Sequence, residues 1–157
     1  LPACTLPPDH NRIPQWPVGT VGSIAHTDNL CAAVVAYRGA ASSLGFDMEV
    51  DGRVDAHLEP VVCTPREQRW LDKHARENRT KLATLLFSAK EAWYKCQYPL
   101  TGCFFEFTDV EMQLDLAQRT FHLRWASNER SIAAEVTRIH GRFRHHAGLV
   151  FTGATLR

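Results

Sequence analysis

The sequence lacks the long apolar runs and the charge excess that would indicate several large classes of protein. It has 157 residues, 45% of them hydrophobic, yet no run reaches the roughly 18 consecutive apolar residues that a membrane helix requires. Lys plus Arg number 18 and Asp plus Glu number 17, so the net charge is +1. This balance argues against a partner recognised by bulk electrostatics, such as duplex DNA. The 22% of charged residues is ordinary for a globular protein, which excludes disorder, collagen-like repeats and a coiled coil.

The chain also lacks a cysteine pattern and a targeting segment. Its five cysteines are an odd number with no CxxC pair, whereas a disulfide framework favours an even set in a smaller, secreted chain. We therefore predict a reducing, cytoplasmic setting. The first 16 residues are proline-rich and show no basic start followed by an apolar stretch. Because no initiator methionine opens the sequence, we expect a processed or trimmed chain.

The first 50 residues predict a connector, a hairpin and a strand. Prolines are dense in residues 1–20, where they hold the backbone extended and remove amide donors. Two β-prone runs, Val21–His26 and Leu30–Tyr37, are separated by a polar trio suited to a tight turn. Leu44–Val50 alternates apolar and polar residues, as a strand with one buried face does.

Two helices are predicted in the middle of the chain. Thr64 and Glu67 have the spacing of a capping box, with a proline at the first helical position, and this helix should end near residues 74–77. Lys81–Tyr98 has apolar residues at helical spacing and predicts the longest helix. Pro99 is expected to end it.

The last third predicts an antiparallel meander. Apolar residues have a period of two from residue 105 to residue 125, with turns at Asp109 and at residues 117–119. Ala133–Phe143 and Leu149–Phe151 predict two more strands. The order of hairpin, strand, two helices and meander indicates an α+β fold, with a small antiparallel sheet packed on helices.

Three short motifs carry candidate chemistry. Asp47 and Glu49 are two apart in a predicted strand, so both carboxylates leave one face, where they repel each other unless solvated, paired or bridged by a cation. Carboxylate oxygens suit Mg²⁺, although an acidic, solvated strand edge explains the spacing equally. Glu91 and Lys95 share a helix face and form an ordinary pair by spacing alone. His26 ends the first predicted strand of the hairpin.

Together these motifs resemble the 4′-phosphopantetheinyl transferases of the surfactin-synthetase-activating type. That family carries G-S-x-[ST]-H, G-[IV]-D-x-E and [FW]-[STC]-x-K-E-[AS]-x-x-K in this order. Here they are Gly22–His26, Gly45–Glu49 and Phe87–Lys95, and the departures are Ala25 before the histidine and Phe46 in the second motif.

The resemblance implies Mg²⁺-dependent transfer of phosphopantetheine from coenzyme A to a serine of an acyl- or peptidyl-carrier protein, with Mn²⁺ as a substitute metal. Fatty-acid, polyketide, siderophore and other nonribosomal-peptide pathways all stay open, and neither a membrane nor a nucleic acid is an expected partner. Glu91 is the first candidate for the base that accepts the serine proton, and Glu67 the second, although a capping role explains Glu67 equally. By their positions in the motifs, Asp47, Glu49 and Glu91 would bind the metal. His26, Lys90 and Lys95 would contact the phosphates of coenzyme A.

The resemblance also implies a domain arrangement. Members of the family have a further half, related to the second by a pseudo-twofold axis, upstream of the first motif. Only some 20 residues precede Gly22 here. We therefore expect residues 1–43 to be the linker and hairpin of a first half, residues 44–157 to be the second half with the metal site, and the chain to be a fragment or cleaved form.

Two alternatives remain open. One is a truncated or degenerate relative that binds carrier protein or nucleotide without turnover. The other rests on the basic stretch Arg138–His146, whose interleaved Phe143 favours RNA or phosphate binding. Its alternation favours instead a strand with one solvated basic face. In the family interpretation the stretch would lie near the acidic carrier protein, although no motif supports this position.

Overall fold

Two antiparallel sheets and three α-helices make up the computed structural model, which describes residues 5–10, 13–74, 77–126 and 134–157. There are also two short 3₁₀ helices among the described residues: Phe107–Asp109 follows the last α-helix, and Ala134–Arg138 lies between two strands. Over the described residues, no helix is long and apolar enough to span a membrane. In chain order the elements are β1 (Thr20–His26), β2 (Cys31–Tyr37), β3 (Ser43–Val50), α1 (Glu59–Val62), α2 (Pro65–His74), α3 (Arg79–Thr101), β4 (Val110–Asp115), β5 (Thr120–Trp125), β6 (His140–His146) and β7 (Leu149–Leu156).

The larger sheet has the strand order β3-β7-β6-β5-β4, and α3 packs across one of its faces. The hairpin β1–β2 forms the second sheet and lies against β3. Apolar side chains of α3 and of the sheet, among them Leu85, Trp93 and Phe121, form the core. The predicted α+β class is therefore confirmed, including the antiparallel meander.

The capping box of α2 forms as the sequence predicts. The Thr64 amide donates to a Glu67 carboxylate oxygen at 2.8 Å, and the Glu67 amide donates to the Thr64 hydroxyl at 3.2 Å. Two amides that would lack partners at the start of the helix are satisfied in this way.

The end of α3 differs from the prediction. Pro99 does not end the helix, which continues to Thr101. Pro99 cannot donate to the carbonyl four residues before it, yet its fixed φ is compatible with a helix and the chain stays helical for two more residues. Gly102 caps the end of the helix: its φ of 64° is left-handed, and its amide donates to the Tyr98 carbonyl.

The strand predicted over Ala133–Phe143 is wrong in its first half. Ala133 lies outside the described residues, the next five residues form a 3₁₀ helix, and β6 begins only at His140. Val136 and Ile139 are both buried, and their spacing of three matches the 3₁₀ repeat instead of the strand's period of two. The aromatic residues at 105 and 107 likewise precede β4 and do not form a strand of their own.

Gly45 allows β3 to lie directly on α3. A β-carbon at this position would be 1.8 Å from the Ala92 carbonyl oxygen and 2.6 Å from the Cys96 amide nitrogen. Both are helix backbone atoms, so no side chain can move aside. The glycine of the second motif is thus explained by packing, and it sets the distance between the strand acids and the helix acid.

Replacing Gly45 by alanine is therefore expected to destabilise the fold by about 3 kcal/mol or more, the upper range for overpacking a core. Gly153 is the matched control, because it also lies in a strand of the larger sheet and an added β-carbon there would have no neighbour within 4 Å. Urea unfolding of both alanine variants measures the difference. Equal unfolding midpoints for G45A and G153A would contradict the packing argument.

Candidate active site

The acidic pair of β3 faces α3. Asp47 is 4% exposed, and one of its carboxylate oxygens accepts a hydrogen bond from the Ser88 hydroxyl of α3 at 2.8 Å. The Ser88 hydroxyl lies 2.8 Å from that of Thr152, the residue opposite Asp47 on β7. Strand alternation puts Glu49 on the same face as Asp47, half-buried at the rim. Strand and helix motifs therefore meet at Asp47.

Lys95 neutralises part of this charge. Its ammonium donates to the other Asp47 oxygen at 2.7 Å, and its side chain is 29% exposed. Helix spacing predicted a pair between Lys95 and Glu91. In the structure Lys95 forms its ion pair with Asp47 instead. A partly exposed ammonium is able to leave Asp47 for a phosphate without unfolding any element.

Of the three candidate metal-binding acids, Glu49 and Glu91 lack a neutralising contact. Neither makes a hydrogen bond or ion pair with any described residue. Burial raises the pKa of Glu49 to about 7, with Asp47 and Glu91 adding to the rise against Arg53 and Lys95. Burial also raises the pKa of Glu91, where Lys95 opposes and Asp47 adds to the effect. The three carboxylates therefore repel one another in a partly desolvated environment.

The donor chemistry of these acids fits a hard cation. Mg²⁺ takes carboxylate oxygens together with waters and substrate phosphates, and it would relieve the repulsion that raises the pKa of Glu49. Within the described ranges no three His, Cys, Asp or Glu side chains are already close enough to hold a metal ion, and one Asp47 oxygen is engaged by Lys95. Binding thus requires side-chain movements of Lys95 and of the two glutamates.

A cavity of about 630 Å³ connects the first motif with Lys95. Trp16, His26 and Arg38 line it together with Lys95. Ser23 fixes this arrangement, because its hydroxyl accepts from the Phe46 amide at 2.9 Å and so ties β1 to β3. The cavity thus has three cationic or titratable side chains for a phosphate-bearing ligand. Arg38 was missed by sequence reasoning, since the turn after the hairpin carries no periodic signal.

Lys90 and Glu67 are placed differently from the phosphate and base roles that the resemblance implied. Lys90 is 1% exposed, and its ammonium donates to the Glu67 carboxylate at 2.6 Å and to the carbonyls of Val62 and Phe107 at 2.7 Å. These three bonds use all of its protons. Glu67 also accepts from the amides of Thr64 and Met112. The pair joins α1, α2, α3 and the segment before β4, so neither side chain is available to a ligand in this state.

A second, smaller cavity of about 160 Å³ lies beside Glu91. Its lining is aromatic, with Trp93, Tyr94 and Phe104 contributing. Trp93 is 1% exposed, and its indole nitrogen has no hydrogen-bond partner in the described part of the chain. A buried donor without a partner is costly.

Two models of protein families match the chain. A model of the 4′-phosphopantetheinyl transferase superfamily matches residues 43–150, and a model of the 4′-phosphopantetheinyl transferase N-terminal domain matches residues 1–36. The chain belongs to the 4′-phosphopantetheinyl transferase superfamily.

Individual relatives support the same assignment. The chain is 38% identical over 125 residues to the 4′-phosphopantetheinyl transferase Svp of Streptomyces mobaraensis, covering 79% of this chain and 51% of the relative. It is 31% identical to the 4′-phosphopantetheinyl transferase PptT of Mycobacterium tuberculosis, covering 91% of this chain and 65% of the relative. The chain thus spans about half to two thirds of the length of these relatives. Its fold is similar to that of holo-[acyl-carrier-protein] synthase from Thermotoga maritima, with a TM-score of 0.54, 20% identity and coverage of 73% of this chain and 62% of that one.

Proposed function

We propose that this chain transfers 4′-phosphopantetheine from coenzyme A to a serine hydroxyl of an acyl- or peptidyl-carrier protein, with Mg²⁺ as the metal. The observation that supports the proposal is the placement of Asp47 and Glu49 on the face of β3 that packs against α3, the helix that carries Glu91. Glu49 and Glu91 lack a neutralising partner among the described residues, although the three acids are not gathered as a metal site in this state. Membership of the transferase superfamily supports the reaction class. Because the chain spans only part of its relatives, the activity is proposed for the chain as it stands, and we expect it to act in the cytoplasm.

The residues divide into three roles in this proposal. Asp47, Glu49 and Glu91 would hold Mg²⁺, which when bound offsets negative charge that develops on the phosphoryl oxygens. Lys95 leaves Asp47 to contact the pyrophosphate, and His26 binds another phosphate of coenzyme A in the larger cavity.

Glu91 is our choice for the base that accepts the serine proton. A carboxylate can accept a proton, and Glu91 lies half-buried beside the smaller cavity with no hydrogen bond or ion pair to any described residue. The serine oxygen then attacks the β-phosphorus of coenzyme A, and the bond from this phosphorus to the bridging oxygen breaks. 3′,5′-Bisphosphoadenosine leaves with that oxygen. Glu67 is not used, because its oxygens serve the buried network around Lys90.

We further propose that residues 1–43 form the linker and hairpin of a first half and residues 44–157 the second half. Separate family models match residues 1–36 and 43–150, which supports a boundary at the start of β3. The Ser23 contact with Phe46 joins the two parts at the site.

Incubation of the chain with coenzyme A, Mg²⁺ and an apo acyl-carrier protein tests the proposed function. Intact-protein mass spectrometry should show one added phosphopantetheine group on the carrier, and none when EDTA replaces Mg²⁺ or when the acceptor serine is alanine. A carrier of unchanged mass, together with calorimetric binding of coenzyme A in the presence of Mg²⁺, would instead support the non-catalytic alternative.

A further inference from the structure

The outer face of the larger sheet, opposite the face that packs on α3, carries a row of polar side chains across three strands. His122 of β5 lies directly opposite Gln113 of β4 on one side and His140 of β6 on the other. All three are exposed, whereas neighbours along the strands such as Phe121 and Gly141 are buried. Alternation along the strands therefore puts two imidazoles and one amide side by side on the solvent face.

The two imidazoles are close enough to share a ligand. Directly opposite residues of an antiparallel pair have β-carbons about 4.5–5.5 Å apart. His122 and His140 form such a pair. Their rings can therefore contact one ion from neighbouring strands without any change in the backbone.

Each ring has a nitrogen to offer. The side-chain oxygen of Gln113 lies 2.6 Å from Nε2 of His122. An acceptor at this place holds the ring proton on Nε2, which leaves the lone pair of Nδ1 free. Metal-binding histidines are commonly oriented by a partner of this kind on their other nitrogen. The exposed ring of His140 makes no hydrogen bond or ion pair with a described residue.

The charges beside this row oppose one another. Arg124 and Arg142 each lie two residues from one of the histidines, on the same face of the sheet. Glu111 lies directly opposite Arg124, and Asp115 lies two residues beyond Gln113 on β4. Two cations and two acids thus surround the row, and imidazole nitrogen is the chemistry that distinguishes it.

From this geometry we propose that His122 and His140 together bind one divalent ion of a nitrogen-preferring metal, of which Zn²⁺ is the probe. Imidazole suits Zn²⁺, Ni²⁺ and Cu²⁺, whereas Mg²⁺ prefers oxygen ligands. Water completes the coordination of the ion, because two imidazoles fill only part of it. The site lies on the other face of the sheet from Asp47, so it does not rest on the proposed function.

The metal would join two strands where their pairing is shortest. Over the described residues, β5 and β6 pair at three positions, against six for β4 with β5 and seven for β6 with β7. The pair of His122 and His140 is the last of the three. A ligand that binds the folded chain and not the unfolded one stabilises the fold. The ion is therefore expected to raise the melting temperature as well as to bind.

The test is calorimetric titration of the full chain with ZnCl₂, in a non-thiol reductant and with excess Mg²⁺ to compete for carboxylate sites. H122A and H140A should each weaken zinc binding by at least ~10-fold, the low end of what the supporting partners of metal ligands contribute. H146A is the matched control, because His146 is an exposed histidine on the same face of β6, opposite Leu149. It should change the affinity by less than ~2-fold.

Thermal unfolding gives a second readout. At a Zn²⁺ concentration ~100-fold above its Kd, the melting temperature of the unaltered chain should rise by about 5 °C or more. H122A and H140A should show at most about half of this rise at the same concentration. Without metal their melting temperatures should match that of the unaltered chain, because both side chains are exposed.

Three outcomes would overturn the site. The first is a chain that binds no zinc, and the second is equal zinc affinity in H122A, H140A and H146A. The third is binding that is lost in H145A or C103S and kept in H122A, since His145 lies 2.9 Å from Asp51 and Cys103 is an exposed thiol. Carrier modification is not a readout of this test, so failure of the proposed function leaves its result unchanged.

Discussion

Replacing Glu91 by glutamine is expected to lower the rate of carrier modification by at least ~10²-fold, the scale on which one electrostatic group at a reacting centre contributes. Two losses combine in this variant. Glutamine cannot accept the serine proton, and a neutral amide is a poorer ligand for Mg²⁺ than a carboxylate. The measurement is initial rate at saturating coenzyme A and carrier, followed by mass spectrometry.

The stability of E91Q should move in the opposite direction from its activity. Burial raises the pKa of Glu91, so its ionised form is less favourable in the folded chain than in the unfolded one at neutral pH. Glutamine removes that cost and breaks no hydrogen bond or ion pair in the described structure. The melting temperature should therefore stay level or rise. Asp47→Asn is a less clean test, because it disturbs both the Lys95 pair and the Ser88 contact.

Glu77→Gln is the control for the loss of one negative charge. Glu77 is exposed in the turn before α3 and outside both cavities. The rate of carrier modification by E77Q should equal that of the unaltered chain within ~2-fold, as expected for the loss of a surface charge. Near-normal turnover by E91Q would refute the role of Glu91 in transfer, whatever its melting temperature.

The parts of the site that sequence could predict are those set by local periodicity. Strand alternation placed Asp47 and Glu49 on one face, and helical spacing placed Glu91 and Lys95 on one face. The capping residues Thr64 and Glu67 behave likewise, because a capping box depends on neighbours three residues apart. These relations depend on local geometry and not on how the rest of the chain packs.

What sequence could not predict depends on contacts between distant segments. Lys90 meets Val62 and Phe107 only because α1 and the 3₁₀ turn before β4 reach the same side of α3. No spacing rule gives this burial, so the expectation of a phosphate contact was the natural one. Pro99 and the residues before β6 were misplaced for a similar reason, because tertiary packing decided where each element ended.

Replacing Lys90 by methionine is expected to destabilise the fold by about 3–5 kcal/mol, the cost of leaving one member of a buried ion pair uncompensated. Methionine keeps the length and the apolar stem of the side chain. Glu67, 4% exposed, would lose its counter-charge, and two backbone carbonyls would lose their donor. Lys81→Met on the same helix is the control: Lys81 is exposed and 3.7 Å from Asp51, so its loss should cost under ~1 kcal/mol.

The double variant K90M/E67Q distinguishes a charge effect from a shape effect. Glutamine needs no counter-charge, and its carbonyl oxygen can still accept from the Thr64 or Met112 amide. The double variant should therefore be more stable than the sum of the single changes by at least ~1 kcal/mol, measured as a double-mutant cycle in urea. Strict additivity would show that the pair is not coupled.

The pH dependence gives a third check on the same pair. Burial raises the pKa of Glu67 and the Lys90 ammonium opposes the rise, so removing Lys90 raises this pKa further. A carboxyl whose folded pKa lies above its unfolded value is without cost below the unfolded pKa, and stability is lost as pH rises through the folded pKa. The deficit of K90M should thus be smallest near pH 4 and grow towards neutral pH. A K90M variant that keeps its stability but loses affinity for coenzyme A would instead restore the phosphate role that the sequence motif suggested for Lys90.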